Sequence, residues 1–326
     1  MNEKKQSKRT FILAAGLMLA STLAAAQGAY PEKPITLVVP FPPGASADGI
    51  ARIIGKKLSA SLGKPVIVEN KPGAGGATAL IRIINAAPDG YTIAMGATGA
   101  IAINPNLPGN ASFDPQKQLR PLAKVADIPL VFVAAPGSGI NTVQDVLKQA
   151  RTGNGLSCGN SGQYTAQHLS VELLASSTRT PITPVPYRGS APALTDVLGG
   201  QVSVAVVDLT SAAPHIKAGK VKAVAVTSAN RSKLAADIPT VAESGVPGYA
   251  APAWMGIFAN AKIPAPIFDR LANELKAVSA DPEVQQQILA LSAEPSYLGP
   301  QEFAQYIAAE SSKWAAVIAT MPARAK

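Results

Sequence analysis

Short apolar, β-branched runs alternate along the chain with stretches whose apolar residues recur every three or four positions. These are the periods of buried strands and of one-sided helices. The first such pair is the most informative. Ile35, Leu37, Val38 and Val39 read as a buried strand running into the turn Pro40-Phe41-Pro42-Pro43-Gly44, and a helix begins at Ser46 or Asp48. Its apolar positions Ile50, Ile53, Ile54, Leu58 and Leu62 make one buried stripe, with Lys56, Lys57 and Ser59 on the outer face. A strand, a tight turn and a helix start aim several free backbone N–H groups at one point, where the helix adds about half a positive charge. Such a place suits an anion. It is also the shape of an ordinary strand-to-helix turn, and these residues alone do not choose between the two.

The alternation continues with strands at 66–69, 92–96, 130–134, 156–158, 183–185, 202–207, 223–227 and 254–258. Helices are expected from the end of the 70–76 loop to about 87, then at 142–151, 166–176, 191–198 and 211–218. Three more close the chain, near 265–279, 282–291 and 300–319, the last with Phe303, Ile307, Trp314 and Ile318 on one stripe. Regular alternation of this kind predicts an α/β fold with a mostly parallel sheet and helices on both faces. Crossings near Asp127 and Gly248 divide it into two α/β domains, 29–127 plus 249–326 and 128–248, with the C-terminal helices returning to the first.

Composition supports a large core: 326 residues, 47% hydrophobic and only 15% charged, enough for two domains. The beginning of the chain reads differently. Lys4, Lys5, Lys8 and Arg9 precede an uncharged stretch from Phe11 that ends Ala24-Ala25-Ala26, the three parts of a secretory signal peptide over residues 1–26 cleaved near Ala26. The stretch is shorter than the roughly 20 apolar residues of a membrane span. A soluble, exported protein is expected. The formal net charge is +9, of which the leader supplies three, and the remaining basic residues are scattered. That distribution argues against a nucleic-acid partner and leaves a mild attraction for acidic solutes. A monomer is expected.

Reactive chemistry finds little support. Gly155-Leu156-Ser157-Cys158-Gly159 matches G-x-S-x-G, yet a nucleophile elbow needs a helix directly after the serine, and a long loop follows here. Only His168 and His215 could serve as bases, and His168 lies on an amphipathic helix where a structural role is expected. A secreted hydrolase centred on Ser157 is the competing class. Cys158, the sole cysteine, excludes an internal disulfide, has no basic neighbour in sequence and reads as a small core residue. Gly73-Ala74-Gly75-Gly76 lacks the third glycine of a dinucleotide fingerprint and the Lys of a phosphate loop. No metal-ligand spacing and no cofactor motif stand out.

What does stand out is a set of polar, small-residue loops after consecutive strands: 41–48, 97–104 with Thr98 and Ala100, 159–165, and Arg188-Gly189-Ser190, with Asp208 ending a further strand. In open α/β sheets ligands sit beyond the carboxyl ends of strands, so two lobes would place these loops on facing walls of one cleft. Arg188 could pair a ligand carboxylate, or equally bridge the domains or sit at the surface. Asp48 is expected to cap its own helix.

Several motifs occur together: Pro40-Phe41 with Gly44, Asp48 and Ala51-Arg52; Val68-Glu69-Asn70-Lys71-Pro72-Gly73-Ala74-Gly75-Gly76; and Pro88-Asp89-Gly90-Tyr91-Thr92. Further on come Ala102-Ile103-Asn104-Pro105, Pro186-Tyr187-Arg188-Gly189 and Ile238-Pro239-Thr240-Val241-Ala242-Glu243-Ser244-Gly245. In this combination the chain resembles the receptors of tripartite tricarboxylate transporters, over essentially its whole length after the leader. The resemblance implies a type II periplasmic binding protein, a two-lobed Venus flytrap that binds a small carboxylate without transforming it. It maps the carboxylate cradle onto Phe41, Pro42, Pro43, Gly44, Ala45, Ser46, Ala47 and Asp48. The backbone N–H groups of Gly44 to Ala47 would act as donors, and Phe41, Pro42 and Pro43 as an apolar wall. Ser161, Gly162, Gln163, Tyr164 and Thr165 would close from the other lobe, with Arg188. The implied partners are integral-membrane transporter subunits, or a signalling partner if the protein is a sensing subunit. Three features depart from the family pattern. Ala45 stands in place of the second of two adjacent glycines, Cys158-Gly159-Asn160 precedes Ser161, and Tyr164 is bulky enough to narrow the pocket or stack on an aromatic ligand.

Overall fold

A computed structural model describes residues 30–107, 113–152 and 155–320; the expected leader lies outside them. The first unit forms as its pattern dictates. β1 (Ile35–Val39) is buried between neighbours on both sides, and α1 (Ser46–Leu62) lays Ile50, Ile54 and Leu58 against it. Ser59 is not on the outer face: its Oγ accepts the Val66 N–H at 2.8 Å and fixes the turn into β2 (Val66–Asn70). Gly63 ends α1 in the left-handed region that glycine adopts without strain.

Then come α2 (Ala77–Ile84), β3 (Thr92–Ala97), β4 (Leu119–Ile128), β5 (Leu130–Ala134), α3 (Val143–Ala150), β6 (Leu156–Asn160) and α4 (Ala166–Thr178). β7 (Ile182–Pro186), α5 (Ser190–Leu198), β8 (Val204–Asp208), α6 (Leu209–Lys217) and β9 (Lys222–Val226) follow. The chain closes with β10 (Ala253–Asn260), α7 (Ala265–Ala280), α8 (Pro282–Ala290), β11 (Glu294–Leu298) and α9 (Pro300–Thr320). The strands build two sheets, in the orders β11-β4-β10-β3-β1-β2 and β7-β6-β8-β5-β9. Helices cover them, and the protein is a two-lobed α/β structure.

The sheets are mixed, which corrects the expectation of a mostly parallel one. β1 pairs in parallel with β2 and β3, and β6 with β7 and β8, but β10 runs antiparallel to β3 and β4, and β5 antiparallel to β8 and β9. The reason lies in the crossings. Only Pro129 separates β4 from β5, so one extended run passes directly from the first sheet into the second. The return path lies beside it. Thr227 donates its N–H to Leu130 O, accepts from Ala251 N and gives its hydroxyl to Ala251 O at 2.8 Å. The two linking segments are therefore laced to one another, a short hinge. Among the described residues no helix is long and apolar enough to cross a membrane.

Candidate functional site

The turn after β1 sets the first wall. Gly44 takes φ +82°, while Ala45 is extended at φ −70°, ψ 160°, so alanine in place of a second glycine costs the backbone nothing. Asp48 does not stand at the N-cap, which is Ala45; it reaches back from the third helical position. Its carboxylate accepts the Gly44 N–H at 3.0 Å, Asn70 Nδ2 at 2.9 Å and a forked contact from Arg52. Burial raises its pKa, but the hydrogen bonds from Arg52, Gly44 and Asn70 outweigh this and hold it below the usual carboxylate range. Asp48 thus tightens the turn and faces away from the cleft.

This arrangement changes which amides are available. Gly44 N–H is held by Asp48 and Ala45 N–H by Pro42 O, so half of the expected donor row is used internally. The amides of Ser46 and Ala47 open the helix with no acceptor among the described residues, as first-turn N–H groups do.

The facing wall comes from the second lobe. Thr165 caps α4, accepting His168 N–H and donating to Gly162 O at 2.7 Å, and Asn160 Oδ1 accepts Gly162 N–H. Tyr164 is in the left-handed region, φ +62°. Its ring lies edge-on to His168 at 5.8 Å, and its N–H donates to His168 Nδ1. The ring therefore neither narrows the pocket nor stands ready to stack on a ligand. The backbone of this loop instead touches the first lobe. A Cβ built on Gly75 would come within 2.8 Å of Gln163 O, and one on Gly99 within 2.6 Å of Tyr164 O.

Between the walls lies a small, partly open cavity of about 30 Å³, with room for about two water molecules. Ser46, Ala45 and Phe41 line it from the first turn, Thr98 and Gly99 from the end of β3, and Ile128, Ala253, Trp254 and Met255 from the hinge side. The second lobe contributes Ser161, Thr165, Gln167, Ser190 and Asp208. Asp208 joins the lobes: its carboxylate accepts Ser46 Oγ at 2.7 Å across the cavity and Gln167 Nε2 beside it. Burial pushes its pKa up, against the lowering effect of hydrogen bonds from Ser46, Gln167 and Ser190. Four helices, α1, α4, α5 and α6, begin at residues lining this cavity or directly after one. Each helix start contributes about half a positive charge, so the enclosure favours negative charge with no cationic side chain in its lining.

A wider vestibule of about 450 Å³ adjoins it and shares Phe41, Gly75, Ser161, Thr165 and Gly189. Pro42, Gly162, Gln163 and Arg188 line only this outer space, where Arg188 is exposed and is the one cation. Pro43, Gly44, Ala47, Asp48, Ala100 and Tyr164 line neither. Ala47 and Ala100 are buried in the core, and the 97–100 stretch is not a loop but enters a wide helical turn, Gly99–Ile103, with Asn104 N–H bonded to Gly99 O. Gln167 and the hinge-side residues carry no chemical signature in the sequence. A first-turn position after a capping threonine is the only signal that could have marked Gln167.

The G-x-S-x-G run builds no elbow. Ser157 lies exposed in the middle of β6, and the next helix begins at Ala166. His168 Nε2 faces Glu172 at 3.7 Å, the structural role expected of it. Cys158 is buried, and burial pushes its thiol pKa well up. Native protein should give no reaction with Ellman's reagent, and a single equivalent of thiol should appear on unfolding in guanidinium. Rapid labelling of the native protein would contradict this burial.

Comparison with known proteins agrees with the geometry. Residues 50–322 match the model of the tripartite tricarboxylate transporter family receptor. The chain is 31% identical over 299 residues to protein BugT of Bordetella pertussis, covering 91% of this chain and 92% of that one. Among solved structures, an R. palustris protein with adipate is 31% identical, with a TM-score of 0.83 over 89% of this chain and 98% of that one. MatC from Rhodopseudomonas palustris with bound malate is 30% identical, with a TM-score of 0.81 over 89% of this chain and all of that one. The chain belongs to the family of tripartite tricarboxylate transporter receptors, which are solute-binding proteins and not enzymes.

Proposed function

We propose that this receptor captures a small carboxylate in the crevice between lobes 29–127 plus 249–326 and 128–248, and presents it to integral-membrane transporter subunits. The observation that carries the reading is the cavity on which four helix N-termini converge, bounded by both lobes. Likeness to proteins that hold adipate and malate supports it. The acid group rests on the free amide of Ser46, against the apolar side of Phe41, with Pro42 further out. Ser161, Gly162, Gln163 and Thr165 close over the remainder, and Arg188 meets any second acid group in the vestibule. Chemistry plays no part, and neither does a cofactor.

A cavity of about 30 Å³ is too small for a whole dicarboxylate, so an acid group enters it while the rest lies in the vestibule, and the lobes part to admit the ligand. Closure then depends on better contacts with the ligand in the closed form. The leader routes the chain to the periplasm and is removed near Ala26, and the receptor acts there as a monomer.

Thermal shift and calorimetry of the protein without its leader, across mono-, di- and tricarboxylates and aromatic acids, test the reading. An acid present at about a hundred times its Kd should add about 2.7 kcal/mol of stability, a rise in Tm of about 5 °C. The proposal fails if no acid binds at millimolar concentration.

A further inference from the structure

Asp208 is the one acidic side chain that lines either interlobe space, and among the described residues it makes no ion pair. It is held by neutral donors, the Ser46 hydroxyl from the opposite lobe and the Gln167 amide and Ser190 hydroxyl from its own. Its own N–H goes to Ser190 Oγ at 3.2 Å. Any ligand group that enters so small a space displaces or adjoins these donors. A bare carboxylate arriving there brings only acceptor oxygens to a group whose own oxygens already act as acceptors. A ligand that brings its own hydrogen-bond donor meets an acceptor already in place.

Ser46 fixes where that donor must lie. Its hydroxyl is committed to Asp208, while its amide is free. Within one serine these two atoms are about 3 Å apart. An acid oxygen on the amide therefore puts the carbon next to the acid group within reach of Asp208. A substituent on that carbon can take the place at Asp208 where the Ser46 hydroxyl now donates. We propose that Asp208 is a specificity-determining residue, selecting carboxylates that bear a hydroxyl or an ammonium group on the carbon adjacent to the acid. This rests on the carboxylate reading above and narrows it. The Coulombic attraction of a buried carboxylate makes the ammonium the stronger of the two donors, and hydrogen bonds to charged groups exceed neutral ones.

Calorimetry with succinate, malate and aspartate, which share one carbon skeleton, decides the matter. In the wild-type receptor malate or aspartate should bind at least about tenfold more tightly than succinate, and which of the two leads distinguishes hydroxyl from ammonium. In Asp208→Asn, whose amide oxygen still accepts from Ser46, that preference should fall below about threefold while succinate binding holds or improves. Succinate binding as tightly as its substituted partners in the wild type overturns the proposal. So does an Asp208→Asn protein that loses affinity for all three acids by the same factor, because Asp208 would then act only in holding the lobes together. Absence of heat with all three acids while a different acid binds also counts against it. Absence of binding by every carboxylate tested would instead overturn the broader reading.

Discussion

Replacing Gly99 with alanine should weaken ligand binding by about tenfold to hundredfold while leaving the fold as stable as before. The Cβ would stand 2.6 Å from Tyr164 O and 3.1 Å from Thr165 Cα, both backbone atoms of the opposite lobe. Neither can swing aside as a side chain could. Thr165 caps α4, and Tyr164 sits between the capping bonds. The lobes must instead stay slightly apart, and a seal that fails by a fraction of an ångström forfeits the contacts made only in the closed form. Overpacking of this kind costs about 1–3 kcal/mol, which sets the range of the loss. Stability should not suffer, because Gly99 opens a wide helical turn without a positive φ, where alanine limits the unfolded chain and adds about 0.4–1 kcal/mol. Small-angle scattering at saturating acid should show a variant less compact than the liganded wild type. Unchanged affinity would mean that the 161–165 loop does not close on this turn. Gly75→Ala makes the same collision but adds strain at φ +61°, so it is the less direct test.

Trp254→Ala should be the most damaging single change in the first lobe, costing about 3–5 kcal/mol. The indole is fully buried and meets Phe303 at 5.3 Å and Tyr306 at 5.9 Å, both edge-on, so it fastens α9 to the face of the first sheet. Gly256 allows Phe303 to approach β10 closely, since a Cβ there would come within 2.3 Å of that ring. The urea midpoint should fall with little change in slope, as in a loss of stability without loss of the folded state. Trp254→Phe should cost far less than Trp254→Ala. It keeps an aromatic body in the same slot and removes an indole N–H that has no acceptor among the described residues. Comparable losses from both would show that something other than packing volume is at stake. Domain stabilities are commonly about 5–15 kcal/mol, so the alanine variant should also be poorly recovered from cells.

The elements that sequence periodicity recovered are the local ones. β1, α1, β5 and the last helix all carry an unbroken apolar period, and their boundaries fall close to the expected places. β4 was not legible, because Arg120, Pro121, Lys124 and Asp127 interrupt its period. The fold tolerates Lys124 there by giving it Asp127 at 2.7 Å and the ring of Tyr306, partners that only the folded chain brings close. β11 (Glu-Pro-Ser-Tyr-Leu) is a half-buried edge strand with little apolar signal of its own. Strand direction was misread for a related reason: a buried run looks the same whichever way its neighbour runs.

At the cleft, the loops were found but not which of their atoms are free. Glycine and proline announce a turn, whereas the internal use of the Gly44 and Ala45 amides depends on Asp48 and Pro42 coming together in space. Tyr164 shows the same limit, since its positive φ and its edge-on contact with His168 appear only in the folded chain.

The sealed position of Cys158 has a practical consequence. With no second cysteine in the chain, an environment-sensitive dye can be coupled to a cysteine introduced at Gln163, on the exposed rim of the vestibule, without blocking the native thiol first. Such a conjugate would convert lobe movement into fluorescence and make the receptor a reagentless sensor for the solute it carries.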